Sequence, residues 1–261
     1  MKLDLYQADA FTSDLFGGNP AAVCPLKRWI PEELMQQIAG ENNLSETAFF
    51  VHSSGRYELR WFTPETEVDL CGHATLASAH ILFNHLGYDR DRVHFDTRSG
   101  ELTVERQGDL LVMNFPSNPA DSVELPDRME EALGVRPSEC YQAMDYLLIL
   151  DEERQVREVE PEFLILKQMD SRGFIVSAPG EEVDFVSRFF APGAGINEDP
   201  VTGSAHTTLT PYWAERLGKN ALRARQLSRR GGELQCRLLG DRVEIAGRAR
   251  TYMRGVINLP D

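Results

Sequence analysis

Two stretches of this chain, Asp69-Leu70-Cys71-Gly72-His73-Ala74 and Pro200-Val201-Thr202-Gly203-Ser204-Ala205, share one design: a polar loop reaches a glycine and runs straight into an apolar helix. The likeness continues in order on both sides. Trp61-Phe62-Thr63-Pro64 returns as Phe189-Phe190-Ala191-Pro192, and Asn84-His85-Leu86-Gly87 as Glu215-Arg216-Leu217-Gly218. Gly100-Glu101-Leu102 returns as Gly232-Glu233-Leu234, and Gly108-Asp109 as Gly240-Asp241. The offset grows only from 128 residues (61 to 189) to 132 (108 to 240). Such a repeat dictates a duplicated fold in which each copy closes its own core. The copies meet in an acidic segment broken by Pro116, Pro119, Pro126 and Pro137, giving expected domains of 1–118 and 119–261.

Within the first copy, alternation of apolar and polar residues at 2–9, 57–62, 93–97 and 101–105 predicts half-buried strands, the last two continuing into 110–115 as an antiparallel meander. The helix expected from His73 to Leu86 is apolar around nearly its whole circumference, so it belongs inside something, and Gly87 closes it. Each domain is therefore expected to be a mostly antiparallel sheet rolled around a central helix, an α+β arrangement. Pro31 to Ala39 predicts a further helix with proline in its first turn. The second central helix, Ser204 to Leu217, contains Pro211, which removes a backbone donor and predicts a kink. Thr207, Thr208 and Thr210 are expected to satisfy the freed carbonyls.

Composition narrows the chemistry. With 27 Lys+Arg against 41 Asp+Glu, the net charge of −14 repels the phosphates of nucleic acid and anionic membrane, so neither is an expected partner. Four scattered cysteines form no C-x-x-C pair, which suggests neither a disulfide framework nor a zinc site. No apolar run approaches the length of a membrane helix, and a reducing cytoplasm is the expected compartment. Glu65, Glu67 and Asp69 alternate, but no histidine stands at ligand spacing, so they read as a solvated loop and no metal is expected. There is no Gly-x-Gly-x-x-Gly and no phosphate loop, hence no nucleotide cofactor is indicated. The basic run from Leu222 to Arg230 reads as the wet face of a strand.

Helix starts expose unpaired N–H groups and the positive end of the dipole, so the two repeated openings are candidate seats for a carboxylate or phosphate. His73 stands at one opening, Asp199 and Ser204 at the other. A duplicated fold also suits a racemase with one thiol per half, yet the counterpart of Cys71 is Thr202, a hydroxyl far too weak as an acid. Cys71 thus reads as a small buried residue. Glu46 sits where a loop enters the apolar run Ala48 to Val51, and Gly17-Gly18-Asn19-Pro20 reads as turn chemistry.

Taken together, Gly18-Asn19-Pro20-Ala21-Ala22-Val23, Ser45-Glu46-Thr47-Ala48-Phe49, Phe62-Thr63-Pro64, Cys71-Gly72-His73-Ala74-Thr75 and Asn197 to Ala205 resemble the PhzF-like family, named for the phenazine-biosynthesis isomerase. The motifs occur in family order over nearly the full chain. The resemblance implies a fold like that of diaminopimelate epimerase, a site in the cleft between domains, a homodimer and no cofactor. It implies that Glu46, with His73 and Asp199, carries cofactor-free acid/base catalysis, moving a proton between carbons of a cyclic dihydro-hydroxyanthranilate. Gly18, Asn19, Gly72, His73, Gly203 and Ser204 are then the substrate-binding positions, and a small carboxylic acid is the expected partner. The rival expectations are a thiol-type amino-acid epimerase or racemase, and a non-catalytic binding protein.

Overall fold

Burial along the first strand, β1 (Lys2–Ala10), alternates with its sequence at Lys2, Leu3 and Asp4, shifts phase between half-buried Leu5 and buried Tyr6, and ends in residues 8–10, which are all buried. The computed structural model describes residues 1–259. It divides into two units, Met1–Asn114 with the C-terminal stretch from Ala246, and Phe115–Ile245.

In the first unit β1 pairs antiparallel with β2 (Asn19–Leu26). Helix α1 (Glu32–Asn42) then carries the chain across, so that β3 (Glu46–Ser53) runs parallel to β2. A two-residue turn at Ser54 and Gly55, both with positive φ, returns the chain antiparallel as β4 (Arg56–Phe62). After the short β5 (Glu67–Val68) comes α2 (Gly72–His85), a second crossover that sets β6 (Arg92–Thr97) parallel to β4. Strands β6, β7 (Gly100–Gln107) and β8 (Leu110–Pro116) form the expected meander.

Helix α2 is the core of this unit. From His73 to Phe83 every residue except His80 is buried, and the helix packs against β1, β2, β3 and β7. Leu76, Ile81 and Leu82 are at most 1% exposed, each worth roughly 1.5–3 kcal/mol of burial. The alanines at 74, 77 and 79 let the sheet approach closely.

The second unit opens with β9 (Asp121–Ser122), α3 (Met129–Leu133), β10 (Glu139–Gln142) and β11 (Tyr146–Ile149). Two short helices, α4 (Glu153–Glu158) and α5 (Phe163–Leu166), lead to β12 (Phe174–Pro179), which is parallel to β11. Then follow β13 (Phe185–Ala191), antiparallel to β12, a 3-10 turn at Pro192–Ala194, and β14 (Ile196–Asp199). Helix α6 (Gly203–Leu217) crosses to β15 (Ala221–Gln226), parallel to β13, and β16 (Gly232–Leu239) and β17 (Arg242–Gly247) complete the repeat. The order of pairings reproduces that of the first unit. Each sheet is mostly antiparallel, as expected, and in both units the parallel pairs fall in the same two places, where a helical crossover returns the chain to a parallel partner.

Pro211 lies inside α6, and the carbonyl it would have bonded, that of Thr207, instead accepts the backbone N–H of Asn118 at 3.1 Å. Thr207 and Thr210 donate their hydroxyls to the carbonyls of Ser204 and His206, so the threonine expectation placed the repair on the wrong groups. Strand β15 alternates exposed and buried residues, with Arg223 and Arg225 on its wetter face. The last strand, β18 (Ala249–Asn258), pairs antiparallel with β1 and so belongs to the first unit. A division at 118/119 had assigned it to the second domain; its partner lies more than two hundred residues back, beyond the reach of local pattern. Among the described residues no helix is long and apolar enough to cross a membrane.

Candidate active site

In the first unit, parallel register sets Glu46 beside Ala21, at the end of β3 where the sheet meets the loop before it. Extended backbone at Cys71 (φ −145°) starts α2, and no side chain caps the helix there. The cap position is instead braced from within: Thr75 donates its hydroxyl to the Cys71 carbonyl at 2.6 Å. His73, the second helical residue, is thereby held with its ring buried at 5% exposure.

The ring has a neighbour on each side. Its Nε2 stands 3.1 Å from Glu46 Oε2, and the Glu46 side chain keeps only 12% exposure. Neither atom makes a well-aligned hydrogen bond, which leaves both with bonding capacity for a ligand. On the other side Nδ1 lies 3.2 Å from the Asn19 amide nitrogen and 3.5 Å from Cys71 Sγ. Asn19 is delivered there by Gly18, whose φ of +61° and distance of 2.1 Å from a Cβ position to the Ala10 carbonyl oxygen admit no side chain. The Gly-Gly-Asn-Pro turn is therefore also the positioning device for a site residue.

Burial opposes a charge on His73, but the neighbouring Cys71 and Glu46 more than offset it and hold the imidazole well above its usual 6.5. Burial, and after it the nearby Glu46, pushes the Cys71 thiol up to about 11.

In the second unit the equivalent cap is Thr202, again in extended backbone (φ −112°). Its hydroxyl donates to Asp199 Oδ2 and its N–H to the buried Gln226 side chain at 2.9 Å, while Gln226 donates to the Asp199 carbonyl at 2.8 Å. Asp199, Gly203 and Ser204 are thus fixed together around the opening of α6. Sequence reasoning missed Arg172. Its guanidinium makes a two-pronged pair with Asp145, which is 2% exposed, and Nη2 donates to Ser204 Oγ at 3.3 Å. Neighbouring Gly173 has no room for a Cβ, which would meet the Phe189 ring at 2.4 Å. No spacing in the sequence joins 145, 172 and 204; the pairing of β11 with β12 sets 145 beside 172, and the start of α6 brings Ser204 to them.

The structure thus gathers Asn19, Glu46, Gly72 and His73, with Cys71, at one helix opening, and Asp199, Gly203 and Ser204, with Arg172, at the other. A family model described as phenazine biosynthesis-like protein (PhzC-PhzF) matches residues 8–255. The Pseudomonas aeruginosa protein named uncharacterized isomerase PA2770 is 51% identical over 259 residues, 99% of this chain and 100% of its own. A crystal structure of a phenazine biosynthesis protein of the PhzF family from Enterococcus faecalis superposes with a TM-score of 0.98 at 46% identity, covering 99% of this chain and 100% of that one. A hydroxyproline epimerase from Agrobacterium vitis shares the fold alone, with a TM-score of 0.63 at 11% identity over 100% of this chain and 93% of that one.

Proposed function

Since the chain belongs to the phenazine biosynthesis-like (PhzC-PhzF) family and is an isomerase, we propose that it moves a proton between carbons of a small, cyclic, unsaturated carboxylic acid without a cofactor. Glu46 is the group that carries the proton. One observation supports this above the rest: a buried carboxylate oxygen and a buried imidazole nitrogen stand 3.1 Å apart at a helix opening, both short of a well-formed hydrogen bond.

The step balances without any redox partner. Glu46 takes a proton from one carbon, and the C–H electron pair spreads into the neighbouring double bond and carboxyl group. The resulting enolate is stabilised by the His73 imidazolium and by the helix N–H groups around Gly72. Glu46 then returns the proton to a second carbon on the same face, forming the new C–H bond. Asp199, Gly203 and Ser204 hold the polar groups of the substrate, and the same reading makes the enzyme a homodimer.

A thiol-type epimerase is the second reading, since Cys71 lies 3.5 Å from the same imidazole. The raised pKa of Cys71 and the hydroxyl of its counterpart Thr202 speak against it. The deciding measurement is deuterium incorporation from D2O into a panel of cyclic and amino carboxylic acids by the wild type, Glu46→Gln and Cys71→Ala. We expect exchange into a cyclic unsaturated acid, slowed roughly 10²–10⁴-fold in Glu46→Gln and kept in Cys71→Ala. Undiminished exchange in Glu46→Gln removes that residue from the role. Loss in Cys71→Ala alone transfers it to the thiol, and no exchange into any acid leaves a binding protein.

A further inference from the structure

Glu46, Cys71 and His73 can each offer one ligand atom, and the three atoms lie within 4.8 Å of one another. They come from two elements: Glu46 is the first residue of β3, Cys71 the cap of α2 and His73 its second residue. Cys71 and His73 are buried, and Glu46 retains a narrow edge of solvent exposure through which an ion can enter.

Carboxylate, imidazole and thiolate together form a donor set that suits Zn²⁺ and similar thiophilic ions. It does not suit Mg²⁺ or Ca²⁺, which take oxygen. A metal about 2.1 Å from nitrogen and about 2.3 Å from sulfur in a tetrahedral site separates those two atoms by about 3.6 Å. Cys71 Sγ already stands 3.5 Å from His73 Nδ1. The carboxylate now faces the other ring nitrogen, so Glu46, the longest of the three side chains, is the ligand that swings in. The Asn19 amide, 3.2 Å from Nδ1, turns aside.

We propose that this cluster binds Zn²⁺, or a divalent ion of like softness, and that the bound ion switches the enzyme off by occupying the proton-carrying carboxylate. Binding releases two protons to water, the Cys71 S–H proton and the one His73 gives up at Nδ1, and no electrons change hands. The binding half rests on the donor set and on Glu46 swinging to the Nδ1 side, whereas the inhibitory half rests on the assignment of Glu46 above.

The test uses the whole chain with ZnCl2 in titration calorimetry and Co²⁺ as a spectroscopic probe. Expected are one equivalent of Zn²⁺ per chain and a near-ultraviolet thiolate-to-cobalt band. Cys71→Ser should lose the band, and Cys71→Ser and Glu46→Gln should each bind Zn²⁺ at least about tenfold more weakly. Absence of saturable binding, a cobalt spectrum without the thiolate band, or variants that bind as tightly as the wild type overturns the site. If Cys71→Ser does not fold, Glu46→Gln decides by itself, since it keeps both the thiol and the shape of the side chain.

For the inhibitory half, stoichiometric Zn²⁺ should abolish deuterium exchange and a chelator should restore it. Exchange that continues with Zn²⁺ bound overturns that half. A chain that exchanges nothing before zinc is added overturns the assignment of Glu46 and leaves the metal site to the calorimetry.

Discussion

At the scale of single residues, a site is made by positions that forbid alternatives. Gly18 is the sharpest case, because its left-handed backbone and the Ala10 carbonyl oxygen 2.1 Å from a Cβ position act together. Gly55 also has positive φ, of +83°, but faces open space. Gly18→Ala is therefore expected to destabilise the fold by at least about 2 kcal/mol, and Gly55→Ala by only about 1 kcal/mol. Urea denaturation midpoints of the two variants check the difference, and equal shifts would mean that the close approach at Gly18 carries no energy. The motif around Gly18 was legible in the sequence as a turn. Its second task, setting Asn19 against His73, was not, because the two residues are 54 apart and meet only through the parallel pairing of β2 with β3 and the helix start beyond it.

The elements follow from patterns that local physics enforces. Apolar residues all round α2 demanded burial, and the helix is buried. In α6 the same reasoning foresaw a helix and a proline defect, but not the group that mends it. An internal proline costs about 3 kcal/mol where its lost hydrogen bond stays unmade, yet the Thr207 carbonyl already accepts the Asn118 N–H. Pro211→Ala should accordingly change stability by less than about 1 kcal/mol in thermal or urea unfolding. A gain approaching about 3 kcal/mol would mean that the Asn118 bond is not an effective substitute. The parallel pairs β2–β3 and β4–β6 escaped the sequence reading for a related reason: alternation tells which face of a strand is buried and says nothing about the direction of its neighbour.

For the molecule as a whole, His206 and His80, whose pKa values are lowered by shielding from water, shape its response to acid. His206 is fully buried, donates Nδ1–H to the Thr202 carbonyl at 2.8 Å and has no partner at Nε2 among the described residues. Burial therefore lowers its pKa to about 4, and burial together with His85 and Arg250 lowers that of His80 to about 4. Below pH 6.5 the unfolded chain takes up protons that the folded chain refuses, so stability falls as pH drops from about 6.5 to about 4. For His206 alone the full loss is about 3 kcal/mol. Melting temperatures measured across that window should decline, and His206→Asn should flatten the slope; an unchanged slope would exonerate His206.

The sequence by itself determined the duplication, the two central helices and the two glycine openings, because in-register repeats and periodic burial are properties of neighbours along the chain. Only the tertiary structure decided that β18 closes the first unit, that Arg172 reaches Ser204 across a buried Asp145, and that a carboxylate, an imidazole and a thiol share one helix opening. Those pairings join segments from 25 to more than 200 positions apart, and no local rule ranks one such partner above another until the fold brings them together.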